Sequence, residues 1–165
     1  MKHTQIIWAL LIFLFCNSCT ERTDITKEKQ SILKLLQEEG DAFAARDIQR
    51  FSANFIMDST FTRLDYYDVT KGWNDHEMLV ESWMKINAAD TVYTNILNSK
   101  ENAIIKVYEQ TAWVICENKW TASKNGIPEE FVDRQIAFLE KVNGKWKFAF
   151  IAFVPLKNEK SEDKK

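Results

Sequence analysis

Histidine and cysteine are scarce in this 165-residue chain, with two of the first and three of the second. Once an N-terminal targeting segment is set aside, only His76 and Cys116 remain inside the domain. A zinc site needs three or four nitrogen and sulfur ligands, which nearly excludes that chemistry; a carboxylate-only cation site stays open with nothing in the sequence to support it, and no metal is expected. The glycines number four, and Gly40, Gly72, Gly126 and Gly144 stand far apart. No phosphate-cradling loop and no nucleophile elbow can be assembled from them, and no cofactor is expected. Neither sign of charge dominates, with 22 basic against 24 acidic residues, so nucleic acid is not an expected partner. The longest apolar run, Ile6 to Phe15, is too short for a bilayer, whose core takes about 20 helical residues. Internal repeats are absent, and low complexity is confined to a charged tail from Asn158 to Lys165.

What the chain does contain is apolar and aromatic residues, 45% and 13%, well beyond a disordered composition. The length suits one domain. Two Asn-Gly pairs, Asn125-Gly126 and Asn143-Gly144, each lie between runs rich in β-branched and aromatic residues. Both residue types tolerate the positive φ of a type I′ turn, so each pair predicts a tight hairpin. The expected strands are Ala112 to Ser123, Glu130 to Lys141 and Lys145 to Val154.

Upstream, Ile25, Ile32, Leu35, Leu36, Ala42 and Phe43 recur near the helical period, with Asp24 or Thr26 as cap and Lys27, Glu28, Lys34, Glu38 and Glu39 outside. Gly40 inside that pattern signals either an interruption or a close neighbour, since it costs about 1 kcal/mol relative to Ala. Asp47 predicts the start of a short helix to Asn54 that turns Phe51 and Phe55 inward, and a first strand is expected over Ile56 to Arg63. A third helix, capped by Asn74 or Asp75, would bury Met78, Leu79, Trp83 and Ile86. Two further strands are expected over Thr91 to Leu97 and Ala103 to Tyr108.

Residues 1–18 read as a targeting segment: Lys2 and His3 precede the apolar stretch, and Ser18 is the small residue before Cys19. An apolar stretch, a small residue and a cysteine resemble the lipobox of bacterial lipoproteins. That resemblance implies acylation of Cys19, a bilayer as partner, an exported and envelope-anchored protein, and residues 19–23 as a tether to a domain spanning 24–156. An ordinary signal peptide with two incidental cysteines is the alternative. Removal of residues 1–18 leaves Cys116 as the only unacylated thiol, with no internal disulfide partner. Its neighbours Trp113, Val114 and Ile115 place it on a buried strand as a small hydrophobe.

Helix, short helix, strand, helix and a long antiparallel meander is an order that resembles the nuclear transport factor 2-like superfamily, which includes ketosteroid isomerase, scytalone dehydratase and the SnoaL-like polyketide cyclases. The matching stretches are Gly40 to Asp47, Phe51 to Asp58, Lys71-Gly72, Thr111 to Val114, Arg134 and Asn143 to Lys147. The resemblance implies an α+β fold in which a curved antiparallel sheet wraps N-terminal helices as a cone, leaves a pocket between the two layers, and pairs with a second copy through the sheet. This scaffold hosts many unrelated activities, so function has to be argued from the site.

In relatives of this kind a carboxylate, His or Tyr shifted by an apolar pocket transfers protons. The candidates here are Asp58 at the start of the first strand, Tyr66 and His76, with a turn role, aromatic packing and a solvent-facing position as their respective alternatives. Tyr67 would add a hydrogen bond to a ligand. Trp113, Phe148 and Phe150 would line the pocket, Trp146, Phe148, Phe150 and Ala152 sharing one side of the last strand by period two. Glu117 and Arg134 belong to facing strands, not directly opposite; buried together in the pocket they would dock an anionic or carbonyl group on Arg134, and a polar outward face is the equal alternative. Trp73 and Trp83 are candidate ligand contacts, or plugs that fill the pocket. Three functions stay open: a small-molecule-binding module, an acid-base isomerase, dehydratase or cyclase, and a protein-interaction module.

Overall fold

The computed structural model describes residues 24–66, 68–89 and 93–156, with the side chains of 86–89 left aside. Helix α1, Ile25–Ala44, starts at Asp24, whose carboxylate accepts from the amides of Thr26 and Lys27. Helix α2, Ile48–Ser52, starts at Asp47, which accepts from the Arg50 amide. Both caps satisfy amides that a helix start leaves open. Helix α1 runs through Gly40 unbroken, and the reason for glycine is contact: a Cβ there would collide with Asn98 Oδ1.

Strands β1, Thr62–Asp65, and β2, Asp68–Lys71, form a short antiparallel pair. The chain before them, Ile56 to Phe61, is irregular, so the strand expected over Ile56 to Arg63 begins six residues later. Asp58 sits in that irregular stretch and folds it, accepting from the Thr60 amide and hydroxyl at 2.7 and 2.6 Å. Gly72, at φ +82°, turns the chain into helix α3, Trp73–Ala89. Asn74 and Asp75 therefore lie inside its first turn rather than at its cap. Among its described side chains the buried ones are Trp73, His76, Val80 and Met84. Met78, expected inside, is 63% exposed, because the apolar stripe is rotated by about one residue from the pattern read in the sequence.

Strands β3, Tyr93–Val107, β4, Thr111–Lys124, β5, Ile127–Val142, and β6, Lys145–Pro155, complete the fold. The six strands form one open sheet in the order β2-β1-β6-β5-β4-β3. All neighbours are antiparallel except β1 and β6, which run parallel. Both Asn-Gly pairs make the expected two-residue turns, with φ of 51° and 83° at Asn125-Gly126 and 50° and 76° at Asn143-Gly144. The two strands expected upstream are one strand, β3, interrupted by bulges at the positive-φ residues Asn95 and Asn102. Bulges bend a sheet, and here they curl it over the helices.

A further register shift, between Phe138 and Leu139 of β5, changes which side chains of β6 face inward. Trp146 and Phe148 point to the helices, then Ile151 and Phe153 do, while Phe150 is carried to the outer face with Phe138. The core lies between helices and concave face, where Phe55 stacks on Phe148 at 5.0 Å and packs edge-on to Phe61 at 5.4 Å. No helix among the described residues is long and apolar enough to cross a membrane.

Candidate functional site

The concave face holds a polar layer beside the aromatic core. It starts on α1, where Glu39 was expected in solvent and is instead buried at 3% exposure, bonded at 2.9 Å to Lys100 Nζ of β3. The same ammonium donates to Asn118 Oδ1 and Gln135 Oε1, both at 2.7 Å. Asn118 also accepts from Asn98 Nδ2 at 2.8 Å, so its oxygen is committed and its amide nitrogen is aimed at Asp133 Oδ1, 2.9 Å away. From the other side the Tyr66 hydroxyl donates to Asp133 Oδ2 at 3.2 Å.

Asp133 borders an open cavity of about 290 Å³ between α1, α3 and the sheet. Phe43, Trp83, Trp120, Phe131 and Phe153 contribute its aromatic walls. On the wall formed by β1, Arg63 grips Asp65 through two hydrogen bonds of 2.6 and 2.7 Å. Its guanidinium lies 4.8 Å from the Trp83 ring and 4.5 Å from that of Phe153. Burial raises the Asp133 carboxyl above its usual range, against the hydrogen bonds from Asn118 and Tyr66 that pull it down. Burial and the neighbouring Asp133 charge likewise hold the Tyr66 phenol above its ordinary value. An acid that retains its proton more readily than usual thus faces a cavity lined mainly by rings. A wider groove of about 770 Å³ runs beside α1 and the β5–β6 turn, but it is lined chiefly by solvated side chains such as Lys27, Lys34 and Lys145.

Two of the residues named from sequence, Tyr66 and Trp83, meet in this cavity. The others do not. Asp58 is an exposed turn residue, its carboxyl lowered by the Thr60 hydroxyl and backbone, away from the cavity. His76 is fully buried, 4.7 Å from the Phe61 ring and 5.3 Å from that of Phe55, with no hydrogen-bond partner on either nitrogen. Burial, with a smaller push from the Arg63 charge, lowers its pKa to about 3, so it is a neutral core side chain and not a proton carrier at ordinary pH. Trp73 and Phe148 are core residues. Trp113, Glu117, Arg134 and Phe150 lie on the outer face, because they alternate with the inward Ala112, Val114, Cys116, Asp133 and Gln135 or follow the β6 register shift.

Glu117 and Arg134 are directly opposite after all, but the glutamate accepts from Asn102 at 2.9 Å and neither reaches the cavity. Tyr67 and Cys19 lie outside the described residues. Cys116 is buried as expected, and burial pushes its thiol up to about 11, which makes it a poor nucleophile. Among the described residues no cluster of three His, Cys, Asp or Glu side chains could hold a metal ion.

Sequence reading passed over Asp133 and Asn118, although the signal was present. Counting outward from Asn125-Gly126 pairs Lys124 with Ile127 and, six steps on, Asn118 with Asp133. Two polar residues facing each other amid inward apolar positions mark the site.

No protein-family model matches the sequence, and no curated protein matches it. Solved structures do. A nuclear transport factor 2-like superfamily protein from Salmonella enterica serovar Typhimurium superposes with a TM-score of 0.67 at 16% identity, over 84% of this chain and 99% of that one. A protein from Novosphingobium aromaticivorans, described as nuclear transport factor 2-like with a cystatin-like fold, gives 0.70 at 14% identity, over 87% and 94%. This chain has the nuclear transport factor 2-like fold. A dehydratase candidate of the same family from Streptomyces avermitilis gives 0.68 at 11% identity, over 81% and 99%. Identities this low carry the fold and leave the chemistry to the residues. In this nuclear transport factor 2-like fold the cavity occupies the space between sheet and helices where the pocket was expected, and Trp73 does not plug it.

Proposed function

We propose that the chain is an envelope-anchored module that binds a small, partly apolar molecule in the aromatic cavity, with Asp133 as the polar anchor. The observation that carries this reading is Asp133 itself, a buried carboxylate held from behind by Asn118 and from the side by Tyr66 at the edge of a space large enough for a small ligand. Apolar walls provide affinity, and one oriented polar group provides direction. The apolar run Ile6 to Phe15, followed by Ser18-Cys19, supports attachment to a bilayer through an acylated cysteine. Pairing of two copies through the outer sheet face is supported by the apolar residues there: Phe138, Val154 and Leu64 are more than a third exposed and Ile104 is 61% exposed.

The test is titration of the purified protein with neutral aromatic and alicyclic carbonyl fragments, read by tryptophan fluorescence. A saturable signal weakened about tenfold or more by Phe131→Ala supports the cavity as the site. Saturable binding indifferent to both Phe131→Ala and Trp120→Ala overturns it. Mass spectrometry of natively expressed protein, read for a diacylglyceryl group on Cys19, tests the anchor.

One observation favours a second reading, acid-base catalysis of an isomerisation, dehydration or cyclisation: the proton affinity of Asp133 is raised toward the working range of a general acid or base, beside a phenol. Under that reading Asp133→Asn abolishes turnover of a bound fragment while leaving its binding in place.

A further inference from the structure

The charges around the cavity do not balance. Three carboxylates face it or stand behind it: Glu39 from α1, Asp65 from β1 and Asp133 from β5. Two cations answer them. Arg63 is committed to Asp65 through two hydrogen bonds and is enclosed by Trp83 and Phe153. Lys100 is committed to Glu39, and its other two donors go to Asn118 and Gln135, so all three ammonium protons are spent. Asp133 receives bonds only from the neutral groups of Asn118 and Tyr66. Among the described residues one carboxylate is therefore left without a cation, in a space walled by Phe43, Trp120 and Phe131.

We propose that the occupant of this cavity carries a positive charge, an amine or quaternary ammonium group set against Asp133 and enclosed by the surrounding rings. The inference rests on the binding reading above and names the ligand class of that same site. A neutral molecule entering the cavity strips water from Asp133 and returns at most a hydrogen bond, so the charge of the carboxylate stays unanswered unless it takes up a proton. A cation supplies the missing charge and is attracted by the aromatic rings as well. The ionic partner also explains why the polar layer orients Asn118 with such economy: its oxygen is occupied by Lys100 and Asn98, so its nitrogen has to donate to the carboxylate that awaits the ligand.

The experiment compares choline with its uncharged carbon isostere, 3,3-dimethylbutan-1-ol, by calorimetric titration of the full chain in a non-ionic maltoside detergent. Choline is expected to bind about tenfold or more tightly than the alcohol. Asp133→Asn removes that preference, and Phe131→Ala, at a half-exposed position where truncation spares the fold, weakens choline. Since choline never titrates, its affinity should fall at whatever acid pH Asp133 takes up its proton, with protons released on binding there. Equal or tighter binding of the alcohol, with both probes weakened by Phe131→Ala, overturns the charge assignment and leaves the cavity as the site. Choline binding untouched by either substitution overturns it too, as does failure of both probes where neutral fragments bind. Failure of every probe and every fragment removes the binding reading along with it.

Discussion

His76 offers the sharpest test of the packing, because its surroundings leave it no way to hold a charge. The ring is enclosed by Phe51, Phe55, Phe61 and Trp73, and neither nitrogen has a partner. The unfolded chain takes up a proton here near pH 6.5, whereas burial and the Arg63 charge delay protonation of the native state to about pH 3. A depressed histidine pKa means that the unfolded state binds more protons across the window between these values. The stability associated with neutral His76 is thus fully present above about pH 6.5 and declines as the pH falls through the window, by about 1.4 kcal/mol per unit. Between pH 7 and pH 5 the loss is about 2 kcal/mol, a figure that holds for any native pKa below about 4. Urea unfolding of wild type and His76→Phe at both pH values, followed by tryptophan fluorescence, isolates this contribution from the other titrating groups. At pH 7 the substitution itself is expected to be near neutral, since relief of two unpartnered nitrogens, about 1–3 kcal/mol, offsets overpacking by the larger ring, about 1–3 kcal/mol. Should the two proteins lose stability in parallel from pH 7 to 5, His76 would have to be solvated or hydrogen-bonded, and the aromatic core described around it would be wrong.

Three other substitutions probe separate parts of the fold by the same urea assay. Gly40→Ala improves helix propensity by about 1 kcal/mol, yet the new Cβ meets the Asn98 side chain that bonds Asn118, so a net loss of about 1–3 kcal/mol is expected; a gain in stability would show that β3 does not approach α1 there. Lys100→Met strands Glu39 without its cation and is expected to cost about 3–5 kcal/mol, most of it recovered in the double variant Lys100→Met, Glu39→Met; equal losses in single and double variants would contradict the pairing. Gly144→Ala places a Cβ at φ +76° in the β5–β6 turn and should cost about 1–2 kcal/mol, with no change in the slope of unfolding against urea.

The oxygen of Asn98 and the amide nitrogen of Gln135 are buried without partners, as are the His76 nitrogens. Such groups are rare in native proteins. They border the layer that holds Asn118, which places them behind the cavity, away from its aromatic wall.

Local chemistry was readable from the chain alone. Asn-Gly at 125 and 143 needs nothing beyond its own tolerance of positive φ to make a hairpin, and Asp24 and Asp47 cap helices through amides two or three residues away. Apolar periodicity was enough for α1 and for the order of the helices, while β2, in a stretch without a clear period, and the continuity of β3 were not legible. Facing was harder to read. One register shift between Phe138 and Leu139 exchanged the faces of β6 and moved Phe150 from the expected pocket to the outer surface, and a rotation of about one residue in α3 replaced Met78 by His76 in the core. The site itself was decided by tertiary structure, because its parts come from positions 39, 63, 65, 66, 83, 118 and 133, on five different elements and the turn after β1. Tyr66 and Trp83 stood out within their own segments, and the rest read as surface or core. Only the curl of the sheet over the helices brings their charges to one space, where burial and the pairing of Arg63 and Lys100 with other carboxylates leave Asp133 as the unmatched one.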